Sequence, residues 1–213
     1  MMVRRFLKLA FPLTVLSVAA ILLIHARPYD NAELRAFLLP PEGCPAPCWQ
    51  GIRPGVTTMA QAAILLEQAR TIEYDVYPGS IQGEGVIHWR TSDRPVRGSI
   101  RFIRGIVENV QIEGLQMVEV WLLLGPPDRG EYLDTYVFGD SNTGSALPFI
   151  HIVYYPGYGI SASANTDCVR FWQQFAHVVI SATSLPEHVE ANPPSLSSYR
   201  QRACEQARKA QGI

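Results

Sequence analysis

Beyond residue 50 the chain switches between two hydrophobic periods. Met59, Ala62, Ala63, Leu66 and Ala69 recur at helical steps through Arg70, the spacing of one face of an α-helix. Thr58 and Gln61 stand at capping-box spacing at its start, each able to satisfy a backbone N–H of the first turn. Four runs of period two follow, at 72–77, 84–90, 97–104 and 106–113. Ile87 and Trp89 alternate with His88 and Arg90, Ile100 and Phe102 with Ser99 and Arg101, Val110 and Ile112 with Gln111 and Glu113. Such alternation gives one buried and one wet face, the habit of antiparallel sheet. Gly105 leaves only a tight turn between the last two runs, as a hairpin requires.

The same order then returns. A second helix is expected from Leu115 to Leu124, ended by Gly125-Pro126-Pro127, since glycine accepts the left-handed cap and proline cannot continue the helix. Four more strand-like runs follow, at 131–138, 148–155, 158–164 and 176–183. The fourth runs look alike, with Val107-Glu108-Asn109-Val110-Gln111-Ile112 beside Ala176-His177-Val178-Val179-Ile180-Ser181. Helix plus four strands, twice, predicts an α+β fold of two tandem units, with two antiparallel sheets each covered by one helix. Asn165 to Phe175 is an insertion holding Cys168, Phe171 and Trp172. Asp30 to Leu39 is a short helix stopped by Pro40-Pro41, and Ser195 to Ala210 is a charged helix in the tail.

The N-terminus adds a compartment. Arg4, Arg5 and Lys8 precede an uncharged run from Leu9 to Ala26, about 18 residues, or roughly 27 Å as a helix, close to the thickness of the hydrocarbon layer. Basic residues on the near side keep the N-terminus cytoplasmic and send the rest across. The alternative is a signal peptide cleaved near Val18-Ala19-Ala20 or Ile24-His25-Ala26. The apolar Ile21-Leu22-Leu23-Ile24 beyond the first site favours the uncleaved anchor. The expected organisation is a basic flank over 1–8, a transmembrane signal-anchor over 9–26, and a linker with a cysteine loop over 27–50. A first α+β repeat over 51–114, a second over 115–184 and a tail with a short helix over 185–213 complete it. The expected location is the cell membrane, single-pass, with the C-terminal part extracytoplasmic.

Charge narrows the partners. The net charge is −1. The three basic residues of the leader face no acid there, so the remainder carries 15 basic and 19 acidic side chains. A mildly acidic domain lacks the basic surface that sequence-independent nucleic-acid binding needs, so no nucleic acid is expected.

Four cysteines, Cys44, Cys48, Cys168 and Cys204, suit two disulfides in an exported chain, with three pairings open. Cys44–Cys48 and Cys168–Cys204 are favoured. The prolines of Cys-Pro-Ala-Pro-Cys stiffen the small loop, and the second bridge would tie the tail to the body. A redox role would call for two-residue spacing at a helix start. No histidine stands at zinc-ligand spacing from Cys44 or Cys48.

Gly55-Val56-Thr57-Thr58 before an amphipathic helix resembles the start of a BamE-like (SmpA/OmlA) unit. Leu124-Gly125-Pro126-Pro127-Asp128 resembles the matching helix end, Leu-Gly-x-Pro. Two tandem units of helix plus four strands are similar to the beta-lactamase inhibitory protein fold. The resemblance spans residues 50–183 and implies non-catalytic proteins that bind other proteins at the cell envelope. The run from Cys44 through Cys48-Trp49 to Pro54-Gly55 also resembles bacterial envelope proteins.

No catalytic set stands out. No Gly-x-Ser-x-Gly elbow is present, Gly83-Glu84-Gly85 is too short for a phosphate loop, and Asp128, Glu131, Asp134 and Asp140 would be dispersed by strands and turns. His88 falls on the polar side of its strand. His151, among Phe149, Val153 and Tyr155, reads as a satisfied core or interface histidine. Metal and cofactor are expected to be absent. Two surface features remain. Arg90, Arg94, Arg97, Arg101 and Arg104 lie within a short hairpin opposed in sequence only by Asp93, a solvated face or an anion-binding one. Tyr132, Tyr136, Tyr154, Tyr155, Tyr158 and Trp172 suit a protein-binding surface or ordinary strands. The leading expectation is a non-enzymatic, membrane-anchored extracytoplasmic binding or scaffold protein, with an envelope protein as partner. The alternatives are an envelope hydrolase using His151 or His88, and binding of anionic lipid or polymer through the arginine hairpin.

Overall fold

The computed structural model describes residues 14–18, 31–69, 71–79, 83–134, 149–166 and 173–183, and tail positions 198, 200, 201, 204, 205 and 208. The chain divides into two units, Met1–Glu33 and Leu34–Ile213. In the first, residues 14–18 are helical. Most of the expected anchor lies outside the described residues. No helix among those described is long and apolar enough to cross a membrane.

The larger unit follows the expected order of elements. Helix α1 spans Ala32–Leu38 and buries Leu34 and Leu38. Its C-terminal carbonyls, at Ala36 and Phe37, accept from Gln50 Nε2 at 3.1 and 3.0 Å, replacing partners a helix end lacks. Helix α2, Met59–Gln68, begins at the predicted capping box, Thr58 with Gln61. Strands β1 (Ile72–Pro78), β2 (Gly85–Thr91), β3 (Arg97–Ile103) and β4 (Ile106–Gln116) form a meander. Arg104 and Gly105 have φ of 55° and 75°, the doubly left-handed turn whose twist matches a hairpin. Helix α3 spans Met117–Leu124, two residues later than expected, because β4 continues through Gly114. Strands β5 (Arg129–Asp134), β6 (Phe149–Tyr155), β7 (Ile160–Thr166) and β8 (Phe175–Ser181) complete the second meander.

The α+β class holds, but the two expected sheets are one. The strand order is β1-β2-β3-β4-β8-β7-β6-β5, antiparallel throughout. Each meander would otherwise leave its last strand as an unpaired edge, and pairing β4 with β8 removes both. Gln111 pairs with Val179, Val110 with Ile180 and Ile112 with Val178, so a pseudo-twofold axis passes through the Gln111–Val179 pair. By facing, Val110 corresponds to Val178 and Ile112 to Ile180. The sequence likeness of the two fourth strands set these one residue out of step, and a one-residue slip exchanges the faces.

One face of the sheet carries the core. Ile87, Trp89, Ile100, Phe102, Val110, Ile112, Val153, Ala162, Val178 and Ile180 bury against Ala62 and Leu66 of α2 and Met117, Val120 and Leu123 of α3. Trp89 sits 4.6 Å from Trp49 and 6.0 Å from Phe37, centroid to centroid. Its indole lies across Gly98, where an added Cβ would come within 2.6 Å of the ring and 1.9 Å of the Gln111 carbonyl oxygen. Glycine is what this crossing requires.

Cys44 and Cys48 are bonded. Cys204 is disulfide-bonded as well, and its expected partner Cys168 lies outside the described residues.

Candidate functional site

The other face of the sheet carries exposed and half-buried side chains among the described residues, and register alone sets what stands on it. One row across the strands reads Glu73, Arg90, Arg97, Glu113. The next reads Asp75, His88, Ser99, Gln111, Val179, Ser161, Tyr154, Arg129.

The first row reinterprets the arginine cluster. Sequence offered only Asp93 as an opposing charge, whereas neighbouring strands bring three acids. Arg90 contacts Glu73 at 2.7 Å, Arg97 contacts Glu113 at 3.3 Å, and Arg101 contacts Glu108 at 3.2 Å. All are exposed pairs, worth about 0–1 kcal/mol each. Arg90 and Arg97 stand directly opposite each other, a like-charge pair that is unfavourable by itself, and each leans on a glutamate on its far side. Arg104 sits at the β3–β4 turn, at the other end of the strands from Arg94 in the β2–β3 loop. The five arginines are therefore not one patch: Arg90, Arg94 and Arg97 gather at one end.

That end is hollow. Arg90, Arg94, Pro95, Arg97, Glu113, Phe175 and His177 are among the residues lining a cavity of about 620 Å³. It opens at an irregularity in β4. Ile112 pairs with Val178 and Leu115 with Ala176, so Glu113 and Gly114 together oppose His177 alone, a β-bulge of the kind that re-aims side chains beside functional sites. Gly114 has φ of 97°, and a Cβ there would meet the Pro95 carbonyl oxygen at 2.3 Å. Glycine thus lets the β2–β3 loop close over the bulge. Thr91 fixes the loop, its hydroxyl donating to the Arg94 carbonyl at 2.8 Å and its N–H to the Val96 carbonyl at 2.9 Å. Phe175 is 65% exposed at the rim.

Sequence reasoning found the arginines and missed Glu113, Phe175 and His177 as their neighbours. The signal available was Gly114 inside an alternating run, which marks a bulge. In the sequence it falls between the strand-like run 106–113 and the helix expected from Leu115.

The histidines part company. His151 is 1% exposed on the core face of β6, paired with Tyr132 and Ala164, as expected for a core histidine. Burial pushes its pKa down to about 4. His88 is exposed on the open face between Asp75 and Ser99, a serine–histidine–aspartate row by register. The Ser99 hydroxyl donates to Gln111 Oε1 at 3.3 Å, away from His88, whose ring meets Tyr77 edge-on at 5.3 Å. General-base catalysis needs the base to reach the proton it takes, and this serine proton points elsewhere. Among the described residues, no group of three or more His, Cys, Asp and Glu is placed to hold a metal ion.

The tyrosines are dispersed too. Tyr155 is 2% exposed in the core, its hydroxyl donating to the Gly125 carbonyl at the end of α3. Tyr154 is buried on the opposite face, its hydroxyl donating to Glu131. Desolvation and this bond together raise its pKa well above the ordinary phenol value. Tyr158 is exposed in the 3-10 turn Pro156–Tyr158. The side chain of Tyr132 and the residues Tyr136 and Trp172 lie outside what is described. Two neighbouring tyrosines on a strand point to opposite faces, so Tyr154 and Tyr155 cannot share a surface.

No protein-family model, no curated protein and no solved structure matches this chain.

Proposed function

We propose that this chain is a non-enzymatic binding or scaffold module of the bacterial cell envelope, tethered by its N-terminal segment with residues 27–213 on the extracytoplasmic side. The observation that carries the reading is the asymmetry of the sheet. Helices and core close one face, and eight strands present mixed polar and half-buried side chains on the other, where Ser99 donates to Gln111 rather than to neighbouring His88. A disulfide between Cys44 and Cys48 fits an oxidising space. The BamE-like motifs at Gly55–Thr58 and Leu124–Asp128 support the same reading, and the partner is then an envelope protein.

The test is capture by the full-length chain from solubilised membranes in several detergents. A specific protein should be recovered by the native chain and by Leu122→Lys on the helix side, and lost when Gln111→Lys and Val179→Lys together alter the centre of the open face. Recovery of nothing specific, or recovery indifferent to the face variant, would refute the proposal.

A further inference from the structure

We infer that the cavity at the β4 bulge is a binding site for a small organic anion with a rigid apolar or aromatic body. This goes beyond the protein-binding reading and does not depend on it. Three features of the cavity converge. Its lining holds three guanidinium groups, Arg90, Arg94 and Arg97, beside the carboxylate of Glu113, and Glu73 pairs with Arg90 from the neighbouring strand. Arg90 and Arg97 face each other across β2 and β3, so an anion placed between them meets both and relieves their mutual repulsion. Pro95, Val96, Phe175 and Ala176 supply an apolar wall beside these charges.

The bonds already present decide how the site would fill. Arg90 holds Glu73 tightly, with Nε at 2.8 Å and a terminal nitrogen at 2.7 Å on the same oxygen. Arg97 reaches Glu113 only through Nε, at 3.3 Å, longer than the roughly 2.7–2.9 Å of a strong charge-assisted bond. A guanidinium carries about five N–H donors, so Arg97 has donors beyond the one it spends on Glu113. The weaker pair is the one an incoming anion displaces or shares. Arg94 is positioned by the Thr91 anchor described above, and exposed Phe175 offers a ring face for an apolar or aromatic body. A volume of about 620 Å³ suits a molecule of that kind: small-ligand sites are concave, mostly apolar and carry a few placed polar groups. A flat membrane surface or an extended acidic polymer would engage all five arginines alike, and Arg104 stands at the far end of the hairpin.

The experiment uses the full-length chain in nanodiscs of neutral phosphatidylcholine, with 2-naphthalenesulfonate as probe, followed by its fluorescence anisotropy. Inorganic phosphate supplies the charge without the body, and 2-naphthol the body without the charge. Naphthalenesulfonate should bind saturably, at least tenfold tighter than either control. Arg94→Gln and Phe175→Ala, both at exposed positions, should each weaken it at least fivefold while the circular dichroism spectrum and unfolding midpoint stay unchanged. Arg104→Gln should leave binding as it was. The inference fails if phosphate binds as tightly as the probe, if Arg104→Gln weakens binding as much as Arg94→Gln, or if the native chain does not bind. It fails equally if the variants bind like the native chain, the mark of probe lodged in the lipid.

Discussion

Burial of His151 ties stability to pH, and the size of the effect follows from one displaced pKa. The side chain is 1% exposed, and its pKa is lowered from 6.5 to about 4, with burial as the cause. In the unfolded chain the imidazole takes a proton near pH 6.5; in the folded chain it resists until about pH 4. Between these values the unfolded state binds more protons, so stability falls as pH falls through this window and levels off below it. Each unit of displacement is worth about 1.4 kcal/mol, giving about 3 kcal/mol in full and about 2 kcal/mol between pH 6.5 and 4.5. Carboxylates titrate in the same region, so the diagnostic quantity is a difference. Urea unfolding of the native chain and of His151→Leu should be compared from pH 7.5 to 4. The native chain should lose about 2 kcal/mol more than the variant between pH 6.5 and 4.5. Equal losses in the two proteins would refute the reasoning, since the histidine would then be protonated as easily folded as unfolded.

Two further outcomes test the fold. Gly98→Ala should destabilise by about 3 kcal/mol or more, the range of severe overpacking, because the new Cβ meets Trp89 and a backbone oxygen at once; a shift under about 0.5 kcal/mol in urea unfolding would show that the indole is free to move. Reducing Cys44–Cys48 should lower stability by about 2 kcal/mol, the chain-entropy value for so small a loop, read from the unfolding midpoint of Cys44→Ser/Cys48→Ser; an unchanged midpoint would mean that the two prolines alone hold the loop.

Much of the local structure was legible in the residues themselves. The Thr58–Gln61 box, the alternation on β2, β3 and β4 and the stop at Gly125-Pro126-Pro127 act over a few neighbouring residues, and each element forms from its own pattern, with β4 running on to Gln116 and α3 starting two residues late. The core role of His151 was legible for the same reason: its strand neighbours Val153 and Tyr155 share its face. Facing was decided at longer range. Nothing within either meander says that β4 and β8 will pair, because edge strands choose partners by what else is unpaired in space. Nor does the arginine run reveal that Glu73, Glu108 and Glu113 stand beside it, since cross-strand register brings together residues far apart in the chain. The cavity depends on both. It exists because β4 takes one more residue than β8 at Glu113-Gly114, and because the only side-chain type that fits under Pro95 is the one with no side chain at all.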